Sequence, residues 1–235
     1  GQLALDNSDM NITIELVHSS QVTSKESGNP YADFYRLTAS PTYNPWGDAW
    51  TYSGKDYDIP GYLDEVHEWR REYGADVVGF FASFSSVGGL GWLLMDINGM
   101  PNYAFNIDRV EQIIGTYTFI HEVGHNVGLH HSAEQNYQPG PTIWDNWEEN
   151  TWSAGWRWTS PGGDRRVSVM SYEEGQYYND KLGGKRVPYF SSPLLKDGNV
   201  PMGHPQLADN VRTLKEVKHV IAAYSESVAL EGVVY

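Results

Sequence analysis

The stretch HEVGHNVGLHH, from His121 to His131, places four of the chain's eight histidines within eleven residues, with Glu122 among them. Residues four apart on an α-helix differ by about 40° in rotation, so His121 and His125 leave one face and can reach a single ion, with Glu122 one step round. Two imidazoles leave a zinc site incomplete: structural zinc is closed by four protein ligands, and catalytic zinc usually has three and a water. A continued helix cannot supply the third ligand. His130 and His131 follow His125 by five and six residues, which would turn them about 140° and 240° away from that face. Gly128 offers the way round, because glycine tolerates the left-handed conformation that ends a helix and reverses the chain. Beyond that turn a histidine can swing back beneath the ion, and geometry alone leaves His130 and His131 both open.

Composition limits what can surround this cluster. Cysteine is absent, so thiolate ligands, disulfides and a cysteine nucleophile are excluded together, and any metal is held by nitrogen and oxygen. The compartment stays open on that ground, since disulfides are permitted outside the cell but not obligatory. With 235 residues, 40% of them hydrophobic and 14% aromatic, the chain can bury a sizeable core. Thirty acidic residues against sixteen basic ones give a net charge of -14, a surface that repels phosphate backbones and anionic lipid, so no nucleic-acid or membrane partner is expected. No apolar run reaches membrane-spanning length and no basic-then-apolar leader stands at the front, so a soluble, already processed monomer is expected.

Along the chain, Met10 to His18 (MNITIELVH) alternates apolar and polar residues as a half-buried strand would, and Phe34 to Ser40 (FYRLTAS) is a weaker strand candidate. Tyr43 to Pro60, rich in Pro, Gly, Asp and Tyr, is expected to be loop. Leu63, Val66, Trp69 and Tyr73 then fall at helical spacing, with Pro60 before the start and Gly74 as the stop. DVVGFFASF (Asp76 to Phe84) suits a buried strand, followed by GLGWLL (Gly89 to Leu94) and YAFNI (Tyr103 to Ile107), with a second helix expected from about Asp108. A last amphipathic helix carries Leu207, Val211, Leu214, Val217, Ile221 and Tyr224 along one face. The order predicts an α+β fold with helices packed on a mixed sheet.

The spacing of His121, Glu122, His125, Gly128 and His131 fits H-E-x-x-H-x-x-G-x-x-H, and the chain therefore resembles the metzincin zinc metalloproteases. On that resemblance His131 is the third ligand, and His130 is left out, facing solvent or standing behind the ligands. SVMSY (Ser168 to Tyr172) fits the methionine turn of such enzymes, with Met170 as the apolar floor and Tyr172 as a phenol offered to the zinc. The wider pattern, from Leu63 to Tyr224, is similar to the bacterial reprolysin-like enzymes of the peptidyl-Asp metalloendopeptidase type. It includes VPYFSSP, GNVPMGHP and ADNVRTLKEVKHVIAAY, pieces that are individually weak. The first forty residues look too short and too polar for the long helix that such proteins carry between their first two strands.

The resemblance implies a single catalytic domain over residues 1 to 235. An upper subdomain to about residue 128 would hold a twisted five-stranded sheet with two long helices, above a loop-rich lower subdomain from about 129 that ends in a helix. Its implied activity is secreted, zinc-dependent cleavage of protein or peptide substrates. Zinc would activate a water, Glu122 would take its proton and pass it to the leaving amine, and Tyr172 would hydrogen-bond the developing oxyanion. The antiparallel edge strand would be GLGWLL, where Gly89 and Gly91 let a peptide approach beside Trp92. The wall of the pocket after the cleaved bond would come from Glu173 to Phe190, where Lys181, Lys185 or Arg186 could select an acidic side chain. Five of nine tryptophans lie between Trp144 and Trp158. They are read first as the core of a disulfide-free lower part, and second as a platform for glycoprotein sugars. The acidic loops DNWEEN and LKDGN are read as solvated charge, since their spacing matches no defined calcium loop. The competing class is a binding module that keeps the fold with little hydrolysis and recognises glycans or proteins through the tryptophan-rich loop. Glu122 argues against it, because a module without chemistry has no use for the base.

Overall fold

The computed structural model describes residues 1–141 and 151–226. Its elements run α1 (Gln2–Asn7), α2 (Pro30–Thr38), the hairpin β1 (Ala49–Tyr52) and β2 (Lys55–Asp58), and α3 (Asp64–Glu72). Strands β3 (Val78–Ala82), β4 (Gly89–Gly91) and β5 (Phe105–Arg109) precede α4 (Val110–Ile113) and α5 (Thr118–Asn126). Strands β6 (Arg157–Thr159), β7 (Arg165–Val167), β8 (Lys185–Arg186), β9 (Ser192–Asp197) and β10 (Val200–Met202) lead to α6 (Asn210–Ile221).

The sheet that positions the site has the order β3-β5-β4, with β5 parallel to β3 and antiparallel to the edge strand β4. β5 is central and sorts its side chains by alternation. Phe105 and Ile107 enter a core with Phe34, Leu37, Leu63 and Val66 of the α2 and α3 side, whereas Asn106 reaches α5 through Asn126 at 2.8 Å. A second core joins Ile120 and Leu129 to Val169, Met170 and Phe190, to Val211, Leu214 and Val217 of α6, and to Ala4, Leu5 and Met10. Residues on both sides of Gly128 thus share one buried cluster.

Several expectations are corrected here. Residues 10 to 18 form no strand: Leu16 is 74% exposed, and the Gln2 side chain takes the place of a partner strand by bonding Ile12 O and Ile14 N. The second strand candidate, Phe34 to Ser40, lies mostly in helix α2. Asn29 caps it by accepting from Tyr31 N and Ala32 N, and Pro30 opens the first turn, a start signal stronger than the weak alternation. The supposed loop 43 to 60 contains the β1–β2 hairpin, turned by Ser53 and Gly54, which both have positive φ. Its Trp50 joins Tyr35, Trp46 and Trp92 in a network of ring contacts 4.6 to 5.7 Å apart. No long helix starts at Asp108, which belongs to β5. The chain makes one turn as α4, bends through Gly115 and Tyr117 with φ of 90° and 59°, and restarts as α5. Among the described residues the sheet beside the site has three strands rather than five, and α3 and α5 have nine residues each. The mixed α+β class stands. Leu207 is exposed and precedes α6, while Val211, Leu214, Val217 and Ile221 form its buried face.

Candidate metal centre

Helix α5 presents His121, Glu122 and His125, and it stops one residue later for a physical reason. Gly128 has φ of 86°, and Gly128 N and Leu129 N donate to His125 O and Gly124 O, the paired bonds of a Schellman motif. Leu129 is buried by the reversal and His131 returns to the helix. Its Nε2 lies 3.0 Å from His121 Nε2 and 3.1 Å from His125 Nε2. His130, by contrast, points elsewhere: it is buried rather than solvent-facing, packs against Gly140, and pairs its backbone with Ser153 O and Gly155 N.

Each converging ring is held from behind by a backbone carbonyl. His121 Nδ1 bonds Val169 O at 2.8 Å, His125 Nδ1 bonds Leu129 O at 2.8 Å and His131 Nδ1 bonds Gln138 O at 3.0 Å. Carbonyls only accept, so every Nδ1 is protonated, and in the neutral rings every Nε2 lone pair faces the common centre. Burial, reinforced by the neighbouring imidazoles, holds His121 and His131 well below the usual histidine range; His125 is lowered to about 4, first by burial. Three mutually facing lone pairs at this separation repel unless a cation lies between them. A tetrahedral ion with Zn–N bonds of 2.0–2.1 Å sets its donors about 3.3 Å apart, so the donor set fits zinc. Among the described residues this trio is the only group of three or more His, Asp or Glu so converged.

Met170, next to the Val169 carbonyl that bonds His121, is fully buried. A Cβ on Gly124 would collide with its Sδ, so that glycine is what lets the turn at Val169 and Met170 close on α5. Glu122 is 6% exposed and lies along β4. A Cβ on Gly89 would fall 2.6 Å from its Cγ, and one on Gly91 would fall 2.6 Å from its backbone O. The space left by these two glycines is therefore filled by Glu122 and α5. Burial, then the carboxyl of Asp108, pushes Glu122 well above the usual carboxylate range, against a smaller opposing pull from Arg186. Asp108 is 0% exposed, makes no hydrogen bond through either carboxyl oxygen among the described residues, and is raised to about 7 by burial.

The remaining candidates separate clearly. The Trp92 ring packs into the core of Phe34 and Leu37, stacking 4.7 Å from Phe34 and donating from Nε1 to Thr38; the residue follows β4, and its backbone N donates to Phe105 O at 3.4 Å. Lys181 and Lys185 are exposed. Arg186 points inward: Nε and Nη2 donate to Ser171 O and Nη1 to Thr116 O. Among the described residues it forms no ion pair with a carboxylate. The Tyr172 ring lies 4.7 Å from that of His131 and its hydroxyl donates to Gln138 Oε1 at 3.0 Å. Burial raises the phenol far above its ordinary value. Trp152, half-buried, lies under the Arg212 guanidinium at 3.4 Å, and Trp158 is buried and donates to Asp197 at 2.9 Å. Trp144, Trp147 and the DNWEEN loop lie outside the described residues. In LKDGN, Asp197 is engaged by Trp158 and Arg166. Gln135, Gln138, Asp108 and Gly124 were not singled out from the sequence. Only Gly124 carried a signal there, as a helix-breaking residue inside a helical motif.

A reprolysin-type family model described as metallo-peptidase family M12 matches residues 4–177, well over half of the chain. The chain belongs to this family. Curated relatives are peptidyl-Asp metalloendopeptidases. That of Stenotrophomonas maltophilia (strain R551-3) is 27% identical over 218 residues, covering 93% of this chain and 44% of its own. That of Xanthomonas campestris pv. campestris is 27% identical, covering 93% and 43%. That of Pseudomonas aeruginosa is 30% identical, covering 76% and 31%. The M12 chain described here thus spans less than half the length of these relatives.

Proposed function

We propose that this chain is the catalytic domain of a secreted zinc-dependent endopeptidase acting on proteins or peptides in a cleft between its parts before and after Gly128. The observation that carries this is the convergence of three neutral imidazole nitrogens, His121, His125 and His131, beside a buried glutamate in an M12 chain. Zinc held by His121, His125 and His131 would supply Lewis acidity, acidifying a water and polarising the scissile carbonyl. Glu122 accepts the proton of the attacking water and returns it to the departing amine, a task suited to a carboxyl whose burial has raised its proton affinity. Tyr172 donates its phenolic proton to the carbonyl oxygen as charge develops there. The free edge of β4 pairs with the substrate backbone.

Arg186 is proposed to select an acidic side chain after the cleaved bond. Its guanidinium hydrogen-bonds carbonyl oxygens, and Glu173, Glu174 and Glu122 act on it only without direct pairing, so a carboxylate from outside would gain a charge-assisted bond. The relatives named above are peptidyl-Asp enzymes, which supports the same preference. The test is hydrolysis of casein and of a peptide library, with and without chelator. Chelation should abolish cleavage, zinc should restore it, and Glu122→Gln should lower turnover about 10²–10⁴-fold with zinc retained. A zinc-loaded wild type that cleaves nothing overturns the reading.

A further inference from the structure

The phenol of Tyr172 has one proton, and the structure commits it. The hydroxyl donates to Gln138 Oε1 at 3.0 Å, while the backbone N of the same tyrosine donates to Gln135 Oε1 at 2.9 Å. Both glutamines belong to the loop that follows the third histidine. Gln135 is buried and also bonds Tyr137 O. Gln138 sits at φ of 46° and its carbonyl is the acceptor for His131 Nδ1. The loop has little freedom to drift. A Cβ on Gly140 would fall 2.3 Å from His130 Cβ, and Arg157 ties Glu134 to Asp180 across the loop's base. One backbone segment therefore orients the third imidazole with its carbonyl and holds the neighbouring phenol with its side chain.

We infer that Gln138 is a positioning residue that holds the Tyr172 hydroxyl at a resting station off the metal, from which the phenol must detach before it can donate to a substrate oxygen. This rests on the zinc reading above. The left-handed backbone at Gln138 aims its amide at the phenol, and the bond from His131 keeps that backbone in place. Loss of the amide leaves the loop's own anchors intact, because they run through Gln135, Gly140 and Arg157. A released phenol beside an open coordination position becomes a ligand.

Copper(II) alone, added to the metal-free protein, is the probe, since a phenolate bound to copper gives a charge-transfer absorption that imidazoles do not. Gln138→Ala should raise that absorption about two- to tenfold over wild type, the population change expected from losing a neutral hydrogen bond. Gln138→Glu, which keeps an acceptor oxygen, should restore the wild-type spectrum. Adding Tyr172→Phe to Gln138→Ala should remove the absorption. Equal spectra for wild type and Gln138→Ala, with one copper bound per chain, overturn the role of Gln138. Failure of both proteins to bind one copper would instead overturn the metal-site reading, and this inference with it.

Discussion

Gly89→Ala should separate catalysis from folding at this site. Gly89 lies in β4 opposite Asp108, in backbone that an alanine can adopt. The added Cβ would stand 2.6 Å from Glu122 Cγ and 2.7 Å from Oε1. Ordinary carbon contacts begin near 3.5 Å, so the glutamate must retreat by about 0.8–1 Å. Misplacement of a catalytic group on that scale costs about 10²-fold in rate. The clash is with a side chain that can rotate, so the stability loss should stay near the low end of the 1–3 kcal/mol typical of overpacking, a melting-temperature drop of about 2–4 °C. The assay is kcat/KM on a peptide substrate alongside a thermal melt and zinc content. A folded, zinc-loaded Gly89→Ala enzyme with undiminished kcat/KM would refute the placement of Glu122 against β4.

Other perturbations should act through different groups. Gly91→Ala puts its Cβ 2.6 Å from the backbone O of Glu122, which no rotamer relieves, so it should cost about 3 kcal/mol or more by urea denaturation, more than Gly89→Ala. Arg186→Met should lower kcat/KM for peptides with Asp after the cleaved bond at least tenfold more than for those with Leu, the worth of about one charge-assisted bond; an equal loss for both would remove the guanidinium from specificity. Asp108 is raised from 3.8 to about 7 when folded, so the native state holds its proton more tightly than the unfolded chain. Its contribution to stability therefore falls as pH rises from about 4 to about 7, then levels off, by at most about 4 kcal/mol. Asp108→Asn should be relatively more stable at pH 8 than at pH 4 in urea titrations, whereas equal effects at both would show the carboxyl is not desolvated.

The zinc constellation was legible because its chemistry is local. His121, Glu122 and His125 are fixed by one helical turn, and Gly128 announces the reversal that brings a further histidine back, although only the metzincin resemblance picked His131 over His130. The carbonyls behind the rings were not legible, since Val169 O, Leu129 O and Gln138 O come from backbone, which carries no residue code. Helix α3, the buried face of α6 and strand β3 also followed from periodicity and turn residues, whereas the edge position of GLGWLL, observed for Gly89–Gly91, came from the metzincin resemblance. The failures lie where tertiary contacts outweigh alternation. MNITIELVH has a strand's pattern but no strand to pair with, and the Asn29-Pro30 cap decides FYRLT in favour of helix. Gly89 and Gly91 were recognised as sites of close approach, yet the group that approaches is Glu122 and its helix. Among Lys181, Lys185 and Arg186, only the fold reveals that the arginine turns inward.

X-ray absorption at the zinc edge, with metal stoichiometry on His131→Ala and His130→Ala, tests the central claim most directly. The account predicts one zinc per chain with three imidazole nitrogens at about 2.0–2.1 Å and one light solvent oxygen, retained in His130→Ala and lost from His131→Ala. Zinc that survives His131→Ala but not His130→Ala, or a fourth protein ligand closing the coordination sphere, would contradict it.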